Sequence, residues 1–225
     1  MKISHTVRTF LLISISAFAI GLFVHLASEV REASQGLHEL IGQLDSYIVE
    51  LSRAIRSPYL TKFASAVTEL GSATVLTIVI AVAGLFFWLR RQMRSLILLL
   101  ISGAVASLLP KILKSHYVRE RPDSAFRLVE ADGFSFPSGH ALASTTIYAT
   151  LAFLIVQGLA RRSERCIVIG VSALLILGIG WSRVYLGVHY FSDVLGGTFI
   201  GISAASLLAA ASRYAKEQEG KTDAE

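Results

Sequence analysis

Six stretches of apolar residues, each close to the ~20 positions a helix needs to cross a bilayer, alternate with polar connections along the chain. They cover residues 9–27, 72–89, 95–113, 140–160, 166–181 and 191–211. None shows the strict alternation of a membrane β-strand. In lipid every backbone amide must be paired within its own segment, so helices are the expected form. Between the first two runs, residues 28–70 follow another pattern. Leu37, Leu40, Ile41, Leu44, Tyr47, Ile48, Leu51 and Ile55 recur at helical spacing, with Glu39, Gln43, Asp45, Glu50 and Arg53 mainly on the other side. The spacing predicts an amphipathic helix lying on the outer membrane surface. Ser57-Pro58 then reads as the cap and first position of a short helix running to Gly71. The expected fold is all-α: one membrane domain over residues 1–225, with six transmembrane helices and an outer amphipathic segment.

Composition supports this. Of 225 residues, 53% are hydrophobic and 16% charged, with mean hydropathy +0.60. A soluble domain averages roughly 25% charged residues, so an ordinary soluble enzyme, a coiled coil and a disordered chain are all disfavoured. The single cysteine, Cys166, excludes an internal disulfide and a multi-cysteine metal site. The net charge of +5 reads as topology before it reads as nucleic-acid binding, and no nucleic-acid partner is expected. Lys2 and Arg8, then Arg90, Arg91 and Arg94, then Arg161, Arg162 and Arg165, and finally Arg213, Lys216 and Lys221 all fall on one side of a six-span chain. Both termini, residues 1–8 and 212–225, are therefore expected in the cytoplasm, and the tail from Lys216 is expected to be disordered. The basic start followed by an apolar run also fits a signal peptide. A cleavage site at His25-Leu26-Ala27 would carry a poor residue, so an uncleaved anchor is expected.

The remaining connections, 114–139 and 182–190, then share the outer face, and they hold most of the reactive side chains. His189 and Asp193 are four apart and can touch. A carboxylate on one imidazole nitrogen fixes the tautomer and leaves the other free to attack, although the pair would serve equally as a structural contact. Pro137-Ser138-Gly139-His140 opens the fourth span. A helix N-terminus suits an anion such as phosphate, while Ser138 has an ordinary alternative as a cap. Lys114, Arg121 and Arg183 converge from three segments and fit either phosphate binding or lipid head groups. Arg119 and Lys111 read as interface charges, His116 as a bystander, and His25 and His38 have no partner pattern. The spacing of His116, His140 and His189 matches no zinc signature, and neighbouring cations would repel a metal, so none is expected.

These residues form a pattern that resembles the type 2 phosphatidic acid phosphatase family, which shares its core with vanadium haloperoxidases and glucose-6-phosphatase. Lys114 through Pro122 fits K-x6-R-P, Pro137 through His140 fits P-S-G-H, and Ser182 through Asp193 fits S-R-x5-H-x3-D. The resemblance covers residues 58–211, and the first span and surface helix are similar to bacterial phosphatidylglycerophosphate and undecaprenyl-diphosphate phosphatases. It implies that His189 attacks phosphorus to form a phosphohistidine, Asp193 orients it, and protonated His140 serves the leaving oxygen. It implies that Lys114, Arg121 and Arg183, with Ser138 and Gly139, hold the nonbridging oxygens, with no metal or other cofactor. The expected setting is the bacterial cytoplasmic membrane, with the site on the periplasmic or extracellular side. The expected partners are membrane lipids and a lipid phosphate substrate: phosphatidylglycerophosphate, undecaprenyl diphosphate or phosphatidic acid. Six spans disfavour haloperoxidase chemistry. A catalytically silent lipid-phosphate binder or transporter would be expected to have lost His189, His140 or Asp193. Gly197 and Gly201 form a small-x3-small pattern that reads as packing within the bundle, so a monomer is favoured over a dimer.

Overall fold

A computed structural model describes residues 5–34 and 39–222, and those residues form α-helices, one 3₁₀ turn and loops, with no strand. Leu37 and His38 lie outside the described residues. In chain order the helices are α1 (His5–Ser34), α2 (Glu39–Ala54), α3 (Pro58–Glu69), α4 (Ala73–Leu89), α5 (Met93–Tyr117), α6 (Gly139–Gly158), α7 (Arg162–Tyr185) and α8 (Phe191–Thr222). Five of them, α1, α5, α6, α7 and α8, are long and apolar enough to cross a membrane. The sixth expected span, α4, is long enough only when taken together with α3 as one bent span. At 17 residues, α4 reaches about 26 Å, a little under the ~30 Å hydrocarbon core. It joins α3 through a 47° bend.

The bend has local causes. Ser72 sits in extended backbone and its hydroxyl accepts from the Val75 amide, starting α4 afresh. Ser57 caps α3 in the same way through Leu60, with Pro58 at the first helical position, as the sequence predicts; α3 stops at Glu69 rather than Gly71. The phenol of Tyr185 accepts from the Ser57 amide at 3.2 Å and meets the Thr61 hydroxyl at 3.1 Å, which docks α3 on α7.

Four spans end beyond their expected limits: α1 at Ser34, α5 at Tyr117, α7 at Tyr185 and α8 at Thr222. Ser182 and Arg183 belong to the last turn of α7, and Lys114 to the last turn of α5, rather than to loops. The Leu186 amide still donates to the Ser182 carbonyl, and the Val118 amide to that of Lys114, so the polar residues ride on rigid helix ends. The tail expected to be disordered instead continues α8 to Thr222. Ala, Lys, Glu and Gln are good helix formers, and Thr6 of α1 donates to Glu217 at 3.4 Å. Residues 223–225 lie outside the described residues.

At the centre stands α6, packed against α5, α7 and α8, with Leu142, Ile147, Thr145 and Thr146 fully buried. The outward faces of α1, α5 and α7 carry large apolar side chains such as Phe18, Ile112 and Leu174, which suits contact with acyl chains. Along α1 and α8, the hydroxyls of Ser16 and Ser203 meet at 2.9 Å, a polar tie of the kind that holds helices together in lipid. The α2 helix leaves Leu40, Leu44, Tyr47 and Leu51 exposed as a stripe facing away from the bundle.

The α6–α8 contact depends on glycine. A Cβ at Gly197 would lie 2.5 Å from the Ser138 carbonyl oxygen, and one at Gly201 would lie 2.5 Å from the Thr145 Cβ. The small-x3-small pattern is thus used inside the bundle. Gly197→Val is expected to destabilise the protein by about 1–3 kcal/mol through overpacking. Gly170→Val on α7, where a Cβ meets nothing within 4 Å, should leave the melting temperature in detergent nearly unchanged. Equal melting temperatures for the two variants would contradict the close helix approach.

Candidate active site

All three motif segments meet at one end of the bundle. Lys114 comes from the end of α5, Ser138, Gly139 and His140 from the start of α6, Arg183 from the end of α7, and His189 and Asp193 from the turn into α8. His140 lies within reach of the charges on Arg183, His189, Lys114 and Arg121. The connection from Val118 to Ser138 folds back over this end. The Ser135 amide donates to the Arg119 carbonyl at 2.8 Å, and the Ser138 amide to the Asp193 carbonyl at 2.9 Å. That second bond ties the start of α6 directly to the start of α8.

His189 is buried, with Nδ1 3.3 Å from Oδ2 of Asp193. Its Nε2 lies 3.2 Å from the Arg121 guanidinium. A guanidinium only donates, so Nε2 accepts, and the ring proton sits on Nδ1 facing the carboxylate. This leaves the Nε2 lone pair on the side of the cations. Asp193 is fully buried: Oδ2 also accepts from the Tyr190 amide at 2.8 Å, and Oδ1 accepts from Arg119 at 2.7 Å. Burial pushes the His189 imidazole down from its usual 6.5 to about 4, with the Asp193 carboxylate opposing the shift and Arg121 and Arg183 adding to it.

The three expected phosphate-binding cations differ in how they are held. Arg121 donates to the carbonyls of Val188 (2.7 Å), Gly133 (2.9 Å) and Asp132 (2.9 Å). Its plane is set by the loop, and burial lowers its pKa, with Asp193 opposing. Arg183 is buried and donates to the Thr68 hydroxyl at 2.9 Å, while its Nε has no protein partner. Lys114 is half-buried, beside Arg121, Asp193 and Arg183. The Ser138 hydroxyl is buried and accepts from the Ala141 amide at 3.5 Å, the cap that its sequence position allows. A Cβ at Gly139 would meet only Pro110, at 3.7 Å. The Ser182 hydroxyl donates to its own helix at the Ile179 carbonyl, away from the site.

One expectation is corrected. Arg119 is not an interface charge. Its guanidinium donates to Asp193, to Asp45 at 2.8 Å and to the Ser192 hydroxyl at 2.7 Å, and it stacks 4.3 Å from the Tyr190 ring centroid. Burial works against its charge, but the two carboxylates outweigh burial and raise its pKa. Asp45 is likewise buried, not on a solvated face of α2. Thr68 and Asp45 escape sequence reading because they lie outside the motifs, and Ser192 because it falls at an unspecified position within the third. A carboxylate placed beside the apolar positions of α2 is the only signal. His116 stays outside the cluster, packed edge-on against Tyr117. Among the described residues no group of three or more His, Cys, Asp or Glu side chains is placed to hold a metal ion.

From Lys114 and His140 an apolar groove of about 370 Å³ runs between α4, α5 and α6, lined by Leu76, Ile80, Ala106 and Ile147. Lys111 sits at its edge. A larger cleft of about 960 Å³, near Arg90 and Leu159, touches no motif residue.

A sequence profile of the PAP2 superfamily matches residues 94–217, which hold all three motifs. The chain belongs to the PAP2 superfamily. It is 40% identical over 164 residues to phosphatidylglycerophosphatase B of Bacillus subtilis (strain 168), covering 70% of this chain and 78% of that one. Its fold superposes on the crystal structure of a transmembrane PAP2-type phosphatidylglycerolphosphate phosphatase from Bacillus subtilis with a TM-score of 0.77. That match has 29% identity and covers 91% of this chain and 96% of the other. It is also similar to LpxE of Aquifex aeolicus, with a TM-score of 0.57 and 25% identity over 72% of this chain and 92% of the other. The chain is accordingly a membrane-embedded lipid phosphatase of this superfamily.

The depressed His189 pKa is directly measurable. In ¹⁵N-histidine-labelled protein, the His189 ring should remain neutral at about pH 5.5 and take up its proton near 4, with His189→Gln providing the assignment. A midpoint near 6.5, the ordinary value, would contradict the buried geometry.

Proposed function

We propose that the enzyme removes phosphate from a membrane lipid phosphate or diphosphate through a phosphohistidine at His189. Phosphatidylglycerophosphate is the leading substrate, because two of the similar proteins are named for it. Undecaprenyl diphosphate and phosphatidic acid are the competitors to test against it. The observation that carries the mechanism is the line Arg121–His189–Asp193. The nucleophilic lone pair faces the cations, and the opposite nitrogen is held by a buried carboxylate.

The steps balance in two displacements. His189 Nε2 forms a bond to phosphorus while the bond from phosphorus to the lipid oxygen breaks. His140, protonated, passes its proton to that oxygen and releases the lipid. His140 then takes a proton from water as the water oxygen bonds to phosphorus and the Nε2–P bond breaks, which frees inorganic phosphate. Asp193 stabilises the Nδ1–H during the interval in which Nε2 carries phosphate. Lys114, Arg121 and Arg183 neutralise the nonbridging oxygens, where charge stabilisation and positioning supply most of the rate in phosphoryl transfer. The start of α6, at Ser138 and Gly139, adds helix-terminal potential. This cation set takes the place of a metal. The apolar groove below His140 and Lys114 suits one lipid tail with its phosphate at the top. The distribution of Lys and Arg supports an orientation with this end of the bundle on the periplasmic or extracellular side, both termini in the cytoplasm, and α2 with its apolar stripe on the outer leaflet. A monomer contains every residue these steps use.

The test is phosphate release from the three lipids by purified protein with chelator present. Release should resist chelator, fall at least about 10³-fold in His189→Ala, and leave an alkali-stable, acid-labile protein-bound phosphate on rapid quenching. Its pH profile should be bell-shaped, because one histidine must be neutral and the other protonated. Release sustained by His189→Ala would remove His189 as nucleophile, and chelator-sensitive release would remove the metal-free mechanism.

A further inference from the structure

Among the side chains described on α2, residues 40–54, one is fully buried, and it is a carboxylate. Asp45 is 1% exposed while its apolar neighbours Leu40, Leu44 and Tyr47 face outward. An amphipathic helix held to the bundle by packing alone would bury a leucine there. Asp45 instead reaches the first turn of α8. Its Oδ1 accepts from the Ser192 amide at 3.0 Å, and its Oδ2 accepts from the Ser192 hydroxyl and from Arg119. The Ser192 amide is one of the first amides of α8, which have no partner within their own helix. Asp45 therefore caps α8 from another helix, one residue before Asp193.

We propose that Asp45 is a positioning residue for the reaction, acting through Arg119 and the first turn of α8 on Asp193 and hence on His189. The inference rests on the mechanistic roles given above to Asp193 and His189.

The geometry supplies a reason for such a residue. A guanidinium beside a carboxylate favours the paired geometry in which two N–H groups take both oxygens. If Arg119 did so, it would occupy Oδ2 of Asp193, the oxygen facing His189 Nδ1. Asp45 prevents this by holding the NH2 side of Arg119 at 2.8 Å, so that only NH1 is left for Asp193, at Oδ1. Oδ2 stays with the imidazole and the Tyr190 amide. Two carboxylates also share one guanidinium, so Asp193 keeps enough negative character to steady a cationic imidazole. Stability alone does not call for this arrangement, since a buried ion pair is often matched or exceeded by apolar packing of similar volume.

The experiment is a double-mutant cycle in the full chain, measured in detergent with the lipid phosphate that the wild type turns over fastest. Asp45→Asn keeps the size and one acceptor but loses the charge. It should lower kcat by about tenfold to a hundredfold, as loss of the hydrogen-bond partner of a metal-ligating histidine does, with KM within about twofold. In an Asp193→Asn background the same substitution should cost almost nothing, because its effect passes through the missing carboxylate. Ser192→Ala retains both charges and removes one bridging hydroxyl. It decides the matter if Asp45→Asn fails to fold, and should lower kcat several-fold, again without raising KM. Wild-type kcat in folded Asp45→Asn, a loss confined to KM, or an equal loss with and without Asp193 would each overturn the proposal, as would wild-type kcat in Ser192→Ala. An Asp193→Asn variant with full activity would bring down the mechanistic reading as well. A damaging Asp193→Asn beside a silent Asp45→Asn would bring down this inference alone.

Discussion

The fully buried carboxylate of Asp193 sets the terms for everything around it. An ionised carboxylate removed from water is tolerated only when its oxygens are satisfied by charged or oriented donors. Here the donors are Arg119, the Tyr190 amide and the His189 ring, and Asp193 lies in the first turn of α8, where helix-terminal potential favours an anion. Its backbone carbonyl also receives the Ser138 amide, so the residue that fixes the imidazole also fixes the start of α6. The loop between α5 and α6 must bring Arg119 and Arg121 inward to complete this arrangement, and it does so by pairing its own backbone at Ser135 and Arg119.

The cations on the other side of His189 face the opposite problem. Lys114, Arg121 and Arg183 repel one another, yet the two arginines are held in place by neutral groups: carbonyls for Arg121 and a hydroxyl for Arg183. A carboxylate acts on each from nearby, Asp193 on Lys114 and Arg121 and Glu69 on Arg183, but among the described residues none of the three pairs with one directly, as Arg119 does. In the proposed mechanism their positive charge serves the phosphate, whereas Arg119, which pairs with two carboxylates, is taken up by the framework. Partner chemistry thus separates Arg119, bound to Asp45 and Asp193, from the three cations proposed to bind phosphate.

That separation explains what the sequence did and did not disclose. Periodicity and span length were enough for the helical class, the six apolar runs and the use of Gly197 and Gly201, because those depend on local composition. The motif residues were legible because their spacing puts them on facing helix ends. Arg119 was misread because side-chain type and position in a loop do not reveal a partner 74 residues away. Asp45 was misread for the same reason: a charge on an amphipathic helix is ordinarily solvated, and only the tertiary structure shows that it points inward. The helical continuation of α8 to Thr222 was missed because polarity was read as disorder, although the tail is rich in helix formers and meets α1 at Thr6.

The glycine contact between α6 and α8 has a further consequence. Gly197 lies one turn beyond Asp193, against the carbonyl of Ser138, so the distance between the two halves of the proposed reaction centre is set by main chain touching main chain. Side chains on the outer faces of α1, α5 and α7 take no part in that spacing. They can be exchanged among apolar types, and the bundle can be fitted to thicker or thinner bilayers, without retuning the chemistry.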